Sequence, residues 1–268
     1  MRFLYKITMI LALSFFCVSG FSQTNNAFKA GEKLTYVVSY SIGVKADLAE
    51  FVFHVKDTKM KGHDTYHINA VAQTYASFNW FFILRDEYST WLRKDNLKPV
   101  YAESNIREGS YRRSGNMTYD WDKKVVNTWW KNPKIGTDNY RTLNLTEDSL
   151  DGLALFFNLR NTPLEEVKDG YSGYIELVLD EKIKRLEYKF LGREEKRIAK
   201  IGTVKTIKFS CQLTTSVDES FEDGSEFFLW LSDDENKIPV YLESPIRIGS
   251  VKARLKSYSN LNHTLNKK

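Results

Sequence analysis

Along most of this chain apolar side chains recur at every second position, the period of a strand that buries one face. In EKLTYVVSY, Leu34, Tyr36, Val38 and Tyr40 share a face, and in RLEYKF, Leu186, Tyr188 and Phe190 do the same. HDTYHINAVAQT (63–74) and GTVKTIKFSCQLT (202–214) read as two more strands. In the second of these, Ile207, Phe209, Cys211 and Leu213 fall on one face, which predicts a core position for Cys211. One segment breaks the period. In TEDSLDGLALFFNLRNTP, Leu150, Leu153, Ala154 and Phe157 stand at helical spacing, acids crowd the start and Pro163 stops it. This predicts a helical segment over 146–160, packed on a sheet.

The alternating pattern is written twice. PVYAESNIREGS (99–110) returns as PVYLESPIRIGS (239–250), nine of twelve residues identical at a separation of 140. Trp91-Leu92 precedes the first copy and Trp230-Leu231 the second, each across a polar stretch, so both units read as hairpins. Two pseudo-repeats, about 31–130 and 171–260, are therefore expected on either side of the helix. No Gly/Ser-rich or Pro-rich linker separates them, which predicts one β-rich domain over 23–268. The expected fold is mainly β: a strongly curved antiparallel sheet, a partly closed barrel or β-sandwich-like, built from a duplicated meander with one short helix between the halves. If the two copies pair antiparallel about a pseudo-two-fold, Glu103 meets Arg247 and Arg107 meets Glu243 in a single register.

The first residues change the setting. Arg2 and Lys6 precede an apolar run from Ile7 to Val18, followed by small and polar residues, the plan of a secretory signal over 1–22 cut before Gln23. The run is shorter than the about 20 residues of a bilayer span, so no transmembrane segment is expected after cleavage. Cys17 follows Phe16, where a lipid-attachment box needs a small residue, so lipidation at Cys17 is not expected. The expected location is exported, periplasmic or secreted. Loss of Arg2 and Lys6 lowers the formal charge from +5 to +3, with no basic block, which argues against a nucleic-acid partner. Cys211 alone remains of the two cysteines, so stability must come from a core rather than a disulfide.

Three stretches, GEKLTYVVSY near the start, DSLDGLALFFNLR (148–160) and the closing IPVYLES with GSVKARL, resemble a bacterial family of exported proteins catalogued as domain of unknown function 3108. The resemblance spans nearly the whole expected mature chain. It implies an exported, β-rich domain and carries no activity with it.

Residues able to do chemistry mostly have structural explanations. No nucleophile elbow, phosphate-cradling glycine loop, zinc-protease helix or paired CxxC occurs. His63 and His67 would lie about 13 Å apart on one strand face, too far for one metal ion. Asp148 and Asp151 fit the first turn of the helix as cap and dipole partners. No catalytic residue, metal site or cofactor is nominated. In the repeated hairpin, Tyr101, Glu103 and Arg107, like Tyr241, Glu243 and Arg247, form an outward polar face, first read as solvated and ion-paired.

The local candidate for a contact site is SFNWFFILRD (77–86), where alternation collapses into an apolar run. Buried packing is the first expectation for it; the sharper one is that Trp80, Phe81 and Phe82 border a ligand or partner site. Three functions follow. The leading one is a non-catalytic envelope protein binding an apolar or amphipathic ligand, such as a lipid, in the concavity of the sheet. The second is an interaction or assembly factor of the cell envelope. The third is a hydrolase of envelope glycan or peptide, which would need carboxylates of perturbed pKa in a cleft.

Overall fold

The computed structural model describes residues 25–42, 44–80, 83–134, 136–163, 167–179, 181–214, 226–245 and 250–268. The expected signal segment thus lies outside the described residues. Eight strands come first: β1 (Lys33–Ile42), β2 (Val44–Met60), β3 (His63–Thr74), β4 (Arg85–Arg93), β5 (Pro99–Glu108), β6 (Tyr111–Asp120), β7 (Val125–Lys131) and β8 (Asp138–Asn144). A two-residue strand β9 (Ser149–Leu150) leads into helix α1 (Gly152–Leu159). Six strands follow: β10 (Ser172–Val178), β11 (Ile183–Ile198), β12 (Gly202–Thr214), β13 (Phe227–Ser232), β14 (Pro239–Pro245) and β15 (Ser250–Ser259).

All fifteen strands form one sheet in the order β8-β7-β6-β5-β4-β3-β2-β1-β15-β14-β13-β12-β11-β10-β9. Every neighbour is antiparallel except β9 with β10. Open sheets rarely exceed about 10 strands without curling, and this one curves strongly without closing. Near its two edges, Leu145 and Val178 pack with Ala102, Tyr119 and Val126 in a small second cluster. Side chains thus bridge a gap that no strand pairing among the described residues spans.

Strand alternation produces the core directly. On β3, Ile68, Ala70 and Ala72 are buried, and on β7, Val126, Thr128 and Trp130. On β1 and β11, Leu34, Tyr36, Leu186 and Phe190 enter the main core as their spacing predicts. Helix α1 lies against this concave face, joining Ala154, Leu155 and Phe157 to residues from both halves of the sheet. The helix is shorter than the expected 146–160. Asp151 is extended (ψ 170°), and its carboxylate accepts from the backbone N–H groups of Leu153 and Ala154, which starts the helix there. Leu150 still reaches the core, from β9 instead of a helical face.

The two similar hairpins are built alike. In β4–β5, Trp91 opposes Tyr101, the register shifts, and Leu92 opposes Pro99. In β13–β14, Trp230 opposes Tyr241, the register shifts at the same point, and Leu231 opposes Pro239. Their Trp–Tyr ring centroids stand 5.4 and 5.3 Å apart. The copies do not pair with each other, however. Strands β4, β3, β2, β1 and β15 lie between β5 and β14. The expected pairing of Arg107 with Glu243 is therefore overturned: Arg107 opposes Arg112, and Glu243 opposes Phe228 and Lys252; Glu103 opposes Ser89 and Asn116, while its expected partner Arg247 lies outside the described residues. The reason is topological. Each hairpin is already flanked on both sides by strands adjacent to it in sequence, leaving no free edge for the other copy.

Candidate functional site

On the concave face, the C-terminal end of α1 and the inner sides of β11, β12 and β13 enclose an apolar pocket of about 30 Å³. Leu186, Phe209, Leu229 and Leu231 supply sheet walls by alternation, and Leu159 and Val167 close it from the helical side. Thr162, Lys237, Tyr171 and Tyr188 bring the polar groups of the lining. Cys211 also lines it. Burial pushes the Cys211 thiol up to about 12. The thiolate is then scarce at neutral pH, which fits the core reading and not a nucleophile.

Cys211→Ser is expected to cost about 1–3 kcal/mol, because a hydroxyl replaces a buried thiol without a designed partner. A urea melt measures this; an unchanged midpoint contradicts the core assignment.

Of the two carboxylates flagged by the sequence, Asp151 is spent on structure. Asp151 is buried, and besides capping α1 it accepts from the Thr90 hydroxyl (2.9 Å) and the Tyr119 hydroxyl (3.5 Å). Burial raises the Asp151 pKa, and these hydrogen bonds oppose the shift. Asp148 does not reach the helix. Its pKa is raised by burial and by nearby Glu176. His67 stacks on Trp91 at 4.2 Å and contacts the Ser89 hydroxyl, and burial lowers its pKa. No group of three His, Cys, Asp or Glu side chains suited to a metal occurs among the described residues.

One guanidinium makes several of the bonds that hold the β3–β4 connection. Arg85 donates to the Thr74 carbonyl and hydroxyl (3.2 Å each), the Leu84 carbonyl (2.6 Å) and Asn79 Oδ1 (3.2 Å). Trp80, at the tip, is 83% exposed, so the first expectation of buried packing fails for this ring. Phe81 and Phe82 lie outside the described residues. The turn between two strands needs no core contact from Trp80, and the apolar run alone does not distinguish a tip from a buried strand. The pocket and the Trp80 loop are separate features. Sequence reading missed Val167 and Tyr171 because they lie between α1 and β10, where no periodicity marks an inward face.

A family model described as "Protein of unknown function (DUF3108)" matches residues 35–256. The chain belongs to this family. The matched range includes α1, the pocket lining and both Trp–Tyr hairpins, so the features above are built on the family's domain. No curated protein matches. Among solved structures the chain is similar to a beta-barrel-like protein of domain of unknown function DUF1849 from Brucella abortus, with TM-score 0.55 and 11% identity. The match covers 87% of this chain and 99% of that one. At this identity the likeness is one of fold, and it agrees with a curved, barrel-like sheet.

Proposed function

We propose that this protein is an exported, non-catalytic binding protein of the cell envelope that takes the end of an apolar or amphipathic ligand in the pocket beneath α1. The observation that carries the reading is the pocket itself: leucine, valine and phenylalanine walls beside a few polar groups, on the concave side of the sheet. Its volume suits the end of an acyl chain rather than a whole lipid. The charged start, short apolar run and small residues before Gln23 support export, and the matching register shifts of the two hairpins support a duplicated origin.

Titration with a fluorescent stearate probe tests the ligand reading. Binding is expected to saturate and to slow alkylation of Cys211. Leu229→Trp, which fills the pocket, is expected to abolish binding while the circular dichroism spectrum stays β-rich. Undiminished binding by this variant refutes the pocket.

A second reading, a partner contact in an assembly factor, is favoured by the exposure of Trp80. Trp80→Ala is expected to leave stability within about 0.5 kcal/mol, as for an exposed site, while reducing retention of a co-purified partner. A large drop in the melting temperature would instead assign Trp80 to packing.

A further inference from the structure

On the opposite, outward face of the sheet, strands β4 to β7 form a polar groove of about 350 Å³, within the size range of small-ligand sites. Its floor is one straight row. Ser89 opposes Glu103, Glu103 opposes Asn116, and Asn116 opposes Trp129. Neighbouring strands stand about 4.8 Å apart, so the row offers a new side chain at about that interval. Tyr101 borders one side, and Asn105, paired with both Glu87 and Ser114, borders the other.

The groove is preorganised. The Tyr101 ring packs on Trp91, which is stacked on His67, and Lys61 lies over it at 5.5 Å, so three side chains fix its plane. Asn69 donates to Glu87 (2.9 Å) and to the Ser89 hydroxyl (3.1 Å), holding both in place.

The matching face of the second half shows what is different here. There Glu243 faces Lys252 in an ion pair at 3.1 Å, and Tyr241 faces Arg254. Lys196 covers the Trp230 and Tyr241 rings at 3.7 and 4.5 Å. In the groove the corresponding partners of Glu103 and Tyr101 are Asn116 and Thr118. Both faces carry a cation over the tyrosine, Lys61 standing 5.5 Å from the Tyr101 ring and donating to the Thr118 hydroxyl, but the groove row itself sets Glu103 between Ser89 and Asn116, with Trp129 at its end, where the second half has an ion pair.

We propose that this groove is a saccharide-binding site. A sugar presents hydroxyls that both donate and accept, and the serine, asparagine and glutamate groups of the row match both roles. It also presents an apolar ring face of C–H groups, for which Trp129 provides a flat partner. A phosphorylated or otherwise anionic ligand is disfavoured by Glu87 and Glu103, with no Lys or Arg among the described lining residues. An amine would suit carboxylates and rings, but it leaves the donor groups of Asn105 and Asn116 unused. The groove and the apolar pocket lie on opposite faces, so either can fail without the other.

The test is a glycan array probed with the labelled protein, followed by calorimetry of the strongest glycan and of spermidine. A neutral glycan is expected to bind, and Trp129→Ala and Asn116→Ala are each expected to weaken it by about tenfold or more with unchanged melting temperatures. Glu243→Gln, on the ion-paired face, is expected to leave the affinity unchanged. Three results overturn the proposal: no glycan bound, glycan binding that survives both groove variants, or spermidine binding in place of any glycan.

Discussion

Arg160→Met is expected to destabilise the protein by about 3–5 kcal/mol, the cost of stranding one member of a buried ion pair. Arg160 and Glu32 are both fully buried, and the guanidinium meets the carboxylate through two bonds, at 2.5 and 2.9 Å. Arg160 also donates to the Asn236 and Ala27 carbonyls, at 2.9 Å each, and lies against the rings of both Phe28 and Phe157. One side chain therefore ties together the segment before β1, the end of α1 and the β13–β14 turn. Methionine keeps much of the volume but leaves buried Glu32 without its ion-pair partner and two carbonyls without their donor. Against a total stability of about 5–15 kcal/mol, the loss is large enough to unfold much of the protein at physiological temperature. The informative comparison is the double variant Arg160→Met with Glu32→Met. Because the partners act on each other, it is expected to be less damaging than the two single changes added together. Urea melts of the three variants decide this, and a single Arg160 variant as stable as the parent contradicts it.

Phe157→Ala is expected to cost a similar amount, about 3–5 kcal/mol, as for a fully buried phenylalanine. Its ring is buried in the main core, edge-on to Phe28 at 4.8 Å and beside Phe156 at 5.3 Å. Sheet and helix are both fixed here, so the cavity left by truncation has little room to collapse. Phe156, partly buried and stacked on Phe53 at 4.7 Å, serves as the comparison. Phe156→Ala is expected to cost less, and a reversed order would mean that α1 packs with its other side toward the core.

Alternation alone placed β3 and β12, whose bounds match the segments 63–74 and 202–214. The face that buries Cys211 was equally plain, because the period of a strand maps residue type onto side. Edge strand β8 was not legible: along DNYRTLN nearly every residue is exposed, and an edge with no buried face writes no periodic signal. The helix was found but begun too early, since Leu150 has helical spacing from Leu153 while Asp151 sets the true start. The repeat announced itself without disclosing its geometry. Identical residues show that two hairpins are alike, and only long-range pairing decides whether they meet. The pocket and the groove were harder still. Each depends on several strands converging in a register that no local pattern encodes, and Trp80 read as core because composition carries no information about turns.

The first strand of the sheet finds its second neighbour only in the last. Lys33 of β1 opposes Ser259 of β15, and the pairing runs on to Ser41 with Ser250. Emerging from a ribosome or a translocation pore, the chain assembles β1 to β8 by successive hairpins and then waits, with one flank of β1 bare, while nearly half its length is still to arrive. Such a flank is a template for any other extended chain, and a seam closed between sequence-distant ends is slow to form, with folding times of about milliseconds to seconds for comparable β topologies. A nascent copy of this protein is thus most vulnerable to aggregation in the interval before its final strand is released, and a chaperone that shields the exposed side of β1 would act at the one place where the fold has to wait.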